Sequence, residues 1–245
     1  MVKLIKAIGV LLLLVSPTAF AKNTRIQKFE EAKKILWKIH AENSETLYCG
    51  CKYSGKLVDM KSCGYMPVRM AGRAAKIEWE HVVPAEAFGQ SFKEWRTGSP
   101  ICSKNGRKTR GRKCAEKASP EYTRMAADLY NLWPEIGELN ALRSNFSMAE
   151  LTSSYYTFGE CKAKILDNKF EPMDKAKGIV ARTYMYMEKE YPGRGVISDK
   201  NKKLFEAWDK MHPVTPWECK RAQKIEAIQG SGNSVLKERC SKLKG

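Results

Sequence analysis

Eight cysteines, Cys49, Cys51, Cys63, Cys102, Cys114, Cys161, Cys219 and Cys240, all follow an export leader, and no other feature restricts the fold of this chain as much. The leader is residues 1–21. Lys3 and Lys6 make a positive start, Ala7 to Val15 form a short apolar run, and Ala19-Phe20-Ala21 has the small-x-small pattern of a signal-peptidase site. The run is too brief to span a bilayer, so the mature chain is expected to begin at Lys22 with no membrane anchor. In an oxidising compartment an even cysteine count reads as up to four disulfides. Local pairing favours Cys102 with Cys114 and Cys219 with Cys240, each closing a modest loop. Cys51 with Cys63 is a further pairing to expect, although Cys49, Cys51, Cys63 and Cys161 admit other combinations. Zinc is the competing use of cysteine. Cys49-x-Cys51 lacks the usual ligand spacing, no second close pair follows, and the chain has only three histidines, so zinc is set aside.

Residues 22–245 are enough to build one sizeable core, and no repeat or Pro/Ser/Gly linker divides them. A helix is expected over Arg25 to Glu42, where Ile26, Phe29, Ala32, Ile35, Leu36 and Ile39 share a face. Others should cover Asp174 to Glu190, Asn201 to Met211 and Glu218 to Gln229, stopped by Pro192, Pro213 and Gly230. Thr46 to Tyr53 and Ile77 to Val83 are β-prone. Regular strand–helix alternation is absent, which points to the α+β class: a mostly helical single domain around a small sheet, stapled by disulfides. Tyr184, Met185, Tyr186 and Met187 fall at helical spacing and are expected in the core rather than on a stacking surface.

The formal net charge is +17, of which Lys3 and Lys6 of the leader are a small part. Such an excess favours a polyanionic partner, because each phosphate met by Lys or Arg releases condensed counterions. Nucleic acid, an anionic cell surface and acidic polysaccharide all fit. Lys104, Arg107, Lys108, Arg110, Arg112, Lys113 and Lys117 crowd into and just beyond the loop between Cys102 and Cys114. A disulfide there would hold these charges on a defined surface rather than on a solubilising tail.

Ile77-Glu78-Trp79-Glu80-His81-Val82-Val83-Pro84 places a histidine directly after an acid, in a short β-prone run ended by proline. Imidazole accepts a proton near neutral pH and the adjacent carboxylate can hold a hard cation, which is half of a metal-dependent hydrolytic site. The bland alternative is a strand-end histidine satisfied by a backbone carbonyl, with Glu78 and Glu80 in solvent. Adjacent strand residues point to opposite faces, so Glu80 and His81 converge only if the strand ends or twists there. Further on, Asn131, Asn140 and Asn145 stand beside Arg143 in a span where asparagine is a poor helix former. Capping and turn formation are one use for them; neutral hard ligation through the amide oxygen is the other.

Glu78-Trp79-Glu80-His81-Val82-Val83-Pro84-Ala85, Asp128-Leu129-Tyr130-Asn131-Leu132, Ile136-Gly137-Glu138-Leu139-Asn140 and Arg143-Ser144-Asn145-Phe146 together resemble the endonuclease I family of secreted or periplasmic bacterial nucleases. Tyr48-Cys49-Gly50-Cys51, Ser62-Cys63-Gly64-Tyr65, the run from Ala181 to Met187, Trp217-Glu218-Cys219 and Ile228-Gln229-Gly230 extend the likeness over nearly all of the mature chain, in order.

The resemblance implies a ββα-metal nuclease core, two short strands and a helix around one divalent cation. By motif, His81 is the general base, and Glu80 and Asn140 are the metal ligands. The family's catalytic arginine matches Arg112 in Gly111-Arg112-Lys113-Cys114, with Arg107 in Gly106-Arg107-Lys108 as its rival. Lys104, Arg107, Lys108, Arg110, Lys113 and Arg143 are expected to meet nucleic acid, and Asn131 and Asn145 to support the ligands from behind. The implied activity is hydrolysis of double- and single-stranded DNA, and of RNA, to 5′-phosphate and 3′-hydroxyl ends by a periplasmic or secreted monomer. It uses one Mg2+, whose place Mn2+ or Ca2+ can take, and reads little sequence, since no recognition helix or zinc finger is present to reach base edges. Two departures stand out: Ala141-Leu142 replaces the family's Gly-Asp after the metal asparagine, and Gly230-Ser231-Gly232-Asn233-Ser234 replaces Gly-Asn-His-Asn-Pro. A non-catalytic cationic coat protein would explain charge and cysteines but not the joint match of His81, Glu80 and Asn140. An inhibitor or immunity-type binder has no motif in its favour.

Overall fold

The computed structural model describes residues 22–244 except 104, 105, 107 and 108, so the expected leader and the loop residues Lys104, Arg107 and Lys108 lie outside the described residues. A stripe of Ala32, Leu36 and Ile39 buries one face of helix α1 (Phe29–His40). The helix begins later than its apolar pattern because Asn23 competes for the backbone. Its Oδ1 accepts from the Arg25 and Ile26 amides and its Nδ2 donates to the Ile26 carbonyl, which holds 23–26 in a turn. The hairpin β1 (Lys52–Ser54) and β2 (Leu57–Asp59) follows, then α2 (Ala71–Ala74) and β3 (Ile77–His81). Short helices α3 (Ala85–Gly89), α4 (Lys93–Thr97), α5 (Arg112–Ala118) and α6 (Pro120–Ala126) lead to β4 (Leu132–Ile136) and α7 (Gly137–Arg143). Strands β5 (Ser147–Met148), β6 (Lys164–Leu166) and β7 (Lys169–Glu171) form a small mixed sheet in the order β5-β7-β6. Helices α8 (Asp174–Glu190), α9 (Asp199–Met211), α10 (Pro216–Gln229) and α11 (Ser234–Ser241) complete an α+β domain.

One expectation of the strands needs correction. Thr46 to Tyr53 is mostly a turn, with Gly50 at φ 66°, and only 52–54 is strand. The partner of β3 is β4, which carries no alternating pattern because all five of its residues are buried, Pro134 among them. The β3–β4 ladder is two-stranded and antiparallel, running from Ile77 opposite Ile136 to His81 opposite Leu132. Each strand therefore keeps an unladdered edge, where the missing N–H of Pro134 is tolerated.

The approach to β4 is fixed from behind by the long helices. Buried Asp128 accepts from the Tyr186 hydroxyl at 2.9 Å, the Tyr191 hydroxyl at 2.7 Å and the Tyr130 amide at 3.0 Å. Buried Arg221 of α10 donates to the Leu129 and Leu132 carbonyls and lies over the Trp133 ring at 3.9 Å. Tyr184, Tyr186 and Met187 of α8 are buried, as their helical spacing requires. Four disulfides staple the domain: Cys51–Cys63, Cys102–Cys114, Cys219–Cys240 and Cys49–Cys161, the last joining residues 112 positions apart. Disulfides of this kind typically stabilise by about 2 to 4 kcal/mol each. Among the described residues no helix is long and apolar enough to cross a membrane.

Candidate active site

Strand periodicity and helix periodicity meet where β3 faces α7. Residues two apart on a strand share a face, as do residues three apart on a helix. Glu78 and Glu80 thus face Asn140 and Arg143 one to one. Asn140 Nδ2 donates to Glu78 Oε2 at 2.8 Å, and Arg143 Nη1 donates to Glu80 Oε1 at 2.8 Å. Trp79, between the two acids, packs edge-on against Trp37 and His40. The helix approaches this closely because it begins with glycine: a Cβ on Gly137 would lie 2.7 Å from the Arg73 carbonyl oxygen and 3.0 Å from Glu78 Oε1.

Glu80 is 3% exposed yet lines the cleft. Its Oε1 also accepts from the Tyr48 hydroxyl at 2.9 Å, and burial pushes its carboxyl pKa up despite the opposing pull of Arg143. β3 stops at His81, and the chain bends over the next two residues. His81 still pairs with Leu132, and like Trp79 it packs on α1, its imidazole beside Phe29 with ring centroids 4.9 Å apart. His81 Nε2 lies 2.8 Å from the Ala126 carbonyl oxygen. A carbonyl only accepts, so Nε2 carries the hydrogen and Nδ1 is left as the basic nitrogen. Burial lowers the imidazole pKa to about 4, with Arg112 and Arg143 pushing the same way and the Ala126 bond opposing, so the ring is neutral at pH 7.

Arg143, expected to meet nucleic acid, has its side chain committed to the protein interior. It is fully buried: besides Glu80, it donates to the His81 carbonyl at 3.0 Å, the Val82 carbonyl at 2.7 Å and the Tyr184 hydroxyl at 3.3 Å. Its fork satisfies carbonyls freed where the β3 ladder ends. Asn131 works on the same stretch, accepting from the Val83 amide at 2.7 Å and donating to the Val83 carbonyl at 3.0 Å, and so fixes the strand end rather than backing a ligand. Asn145 is exposed on the rim and donates to Glu86 Oε2 at 3.2 Å.

These residues line one open cleft of about 920 Å³ that brings together Glu80, His81, Arg112, Asn140, Arg143 and Asn145. Arg112 enters as the first residue of α5, just after Gly111, whose φ of 83° suits glycine best. Arg110 and Lys113 are exposed but do not line the cleft. The cleft also takes in residues that the sequence did not mark: Lys33, Lys34 and Trp37 of α1, with Lys56 and Arg73. On an amphipathic helix the two lysines read as an ordinary solvated face, and only the packing of α1 beside β3 shows what they flank. Of the departures, Ala141 lines the cleft and Leu142 packs on the core. The Ser231 carbonyl accepts from the Tyr130 hydroxyl and Asn233 caps α11, so the altered C-terminal turn serves packing. Among the described residues no three His, Cys, Asp or Glu side chains gather as a metal site. A pair made of one carboxylate and one amide would not form such a group.

The endonuclease I family profile matches residues 16–240. An extracellular deoxyribonuclease of Aeromonas hydrophila is 40% identical over 94% of this chain and 96% of its own length. Endonuclease-1 of Buchnera aphidicola subsp. Acyrthosiphon pisum is 40% identical over 91% of this chain and 86% of its own. A periplasmic deoxyribonuclease of Aeromonas hydrophila is 38% identical over 87% of each.

Proposed function

The chain belongs to the endonuclease I family, and from that premise we propose that it is an exported Mg2+-dependent endonuclease that hydrolyses DNA, and RNA as well, with little sequence preference. The observation that carries the reading is the convergence of a neutral His81, Glu80, Asn140 and Arg112 on one open, lysine-flanked cleft. The donors fit a hard divalent cation. Both hydrogen bonds to Glu80 fall on Oε1, which leaves Oε2 as the oxygen to offer, and Asn140 adds a neutral amide oxygen. So small a ligand set leaves positions for water and phosphate. When bound, the cation supplies Lewis-acid charge to the scissile phosphate and the departing 3′-oxygen.

His81 Nδ1 takes the proton from a water in line with the leaving group. As the water oxygen bonds to phosphorus, the bond from phosphorus to the 3′-oxygen breaks and solvent protonates that oxygen. Ala126 holds the ring in the productive tautomer, and Phe29 shields its face. Arg112 clamps a phosphate oxygen through its planar fork, and Lys33, Lys34 and Lys56 follow the backbone without reading bases. The test uses the mature chain with Mg2+ on supercoiled plasmid, single-stranded DNA and RNA. All three should be cut, and DNA ligase alone should reseal the plasmid nicks, because the route leaves 5′-phosphate and 3′-hydroxyl ends. Nicks that need end repair before sealing would rule out this direction of attack.

A further inference from the structure

An asparagine amide has two faces of nearly equal shape, one oxygen and one nitrogen, and only the oxygen can serve a hard cation. Something must therefore decide which way Asn140 turns. Its Nδ2 donates to Glu78 Oε2 at 2.8 Å. An ionised carboxylate is an acceptor only, so it bonds the nitrogen and sends the amide oxygen the other way. Glu78 is itself held: Arg73 Nε donates to its Oε1 at 2.6 Å and Arg73 Nη2 to its Oε2 at 2.8 Å. Three separate elements, α2, β3 and α7, thus converge on one carboxylate, and the missing Cβ of Gly137 lets α7 come near enough to join them.

We infer that Glu78, gripped by Arg73, is a positioning residue that orients the Asn140 amide so that Oδ1 faces the cation. Glu78 lines the cleft but is committed to these two partners. The inference rests on the proposal that Asn140 is a metal ligand. It assigns the supporting role to Glu78 in place of Asn131 and Asn145, whose side-chain amides are engaged with Val83 and Glu86.

The test is calorimetric titration of Mn2+, a cation with the same preference for oxygen donors, into the metal-stripped mature chain and three variants. In Glu78→Gln, the shorter bond, from Arg73 Nε, keeps the new amide oxygen at the Oε1 position while the exposed Nη2 turns to solvent, leaving the Gln nitrogen facing Asn140. Asn140 then turns its oxygen toward that nitrogen and its NH2 toward the cleft. Mn2+ affinity should fall about 10- to 100-fold, the usual loss when a ligand's supporting partner is removed. Adding Asn140→Asp restores an oxygen on both sides, so the double variant should recover most of the wild-type affinity. Glu86→Gln removes the same charge from the cleft without touching Asn140, and its affinity should stay much closer to wild type. Apo thermal unfolding of each variant at the wild-type temperature assigns the losses to the site rather than to the fold. Equal Mn2+ affinity in wild type and Glu78→Gln overturns the orienting role while leaving the metal site standing. A Glu78→Gln loss that Asn140→Asp does not recover, or that Glu86→Gln matches, makes Glu78 a direct ligand or a mere charge and overturns it too. Absence of Mn2+ binding by wild type overturns the metal reading beneath it.

Discussion

His81→Ala lowers the single-turnover rate of plasmid cleavage by about 10² to 10⁴-fold, the range typical for loss of a general base, while DNA affinity stays near wild type. The neutral ring supplies one basic nitrogen, Nδ1, because the Ala126 carbonyl occupies Nε2. Alanine leaves the in-line water with bulk solvent as its only base. Binding survives because the charges that attract phosphate, on Lys33, Lys34, Lys56 and Arg112, are untouched. The fold also survives: His81 is the last residue of β3, and its backbone partners remain. Near-normal nicking by a folded, metal-replete variant would remove His81 from the base role.

Arg143→Met should destabilise the domain by about 3 to 5 kcal/mol, because it strands a buried carboxylate. Glu80 would keep the Tyr48 hydroxyl but lose its cationic partner in a site where burial already pushes its pKa up. The carbonyls of His81 and Val82 would lose their donors as well. For a domain of this size such a loss lowers the unfolding midpoint by roughly 10 °C. A substrate-contacting arginine behaves differently: its loss weakens DNA binding and flattens the salt dependence while leaving the melting point alone. Calorimetry beside a salt-series binding assay separates the two, and an unchanged melting point with a reduced salt slope would return Arg143 to the substrate side.

What could be read from the chain and what could not divide along physical lines. The β3 motif, Asn140 and the long helices were legible because each is announced by local spacing or by an intact motif. Cys102–Cys114 and Cys219–Cys240 followed from short loop closure, whereas Cys49–Cys161 joins distant residues and has no local signal. β4 was invisible because burial on both faces erases alternation and Pro134 argues against a strand. The short helices between residues 85 and 126 hold too few turns to show a period. Within the site, Arg143 beside Ser144-Asn145 reads as a basic surface residue, yet its burial is decided by the register of α7 on β3. Glu78 carries no role in the motif for the same reason: its pairing with Asn140 exists only once the strand and helix are packed.

The most direct test of the account is cleavage of supercoiled plasmid by mature protein stripped of metal and checked by elemental analysis. Without metal no nicking is expected, and adding Mg2+ should restore the full rate. Glu80→Ala and Asn140→Ala, each folded and given the same Mg2+, should stay inactive, because a cation held by so few protein ligands has no substitute. Cutting at the full rate by protein shown to be metal-free would contradict this metal dependence.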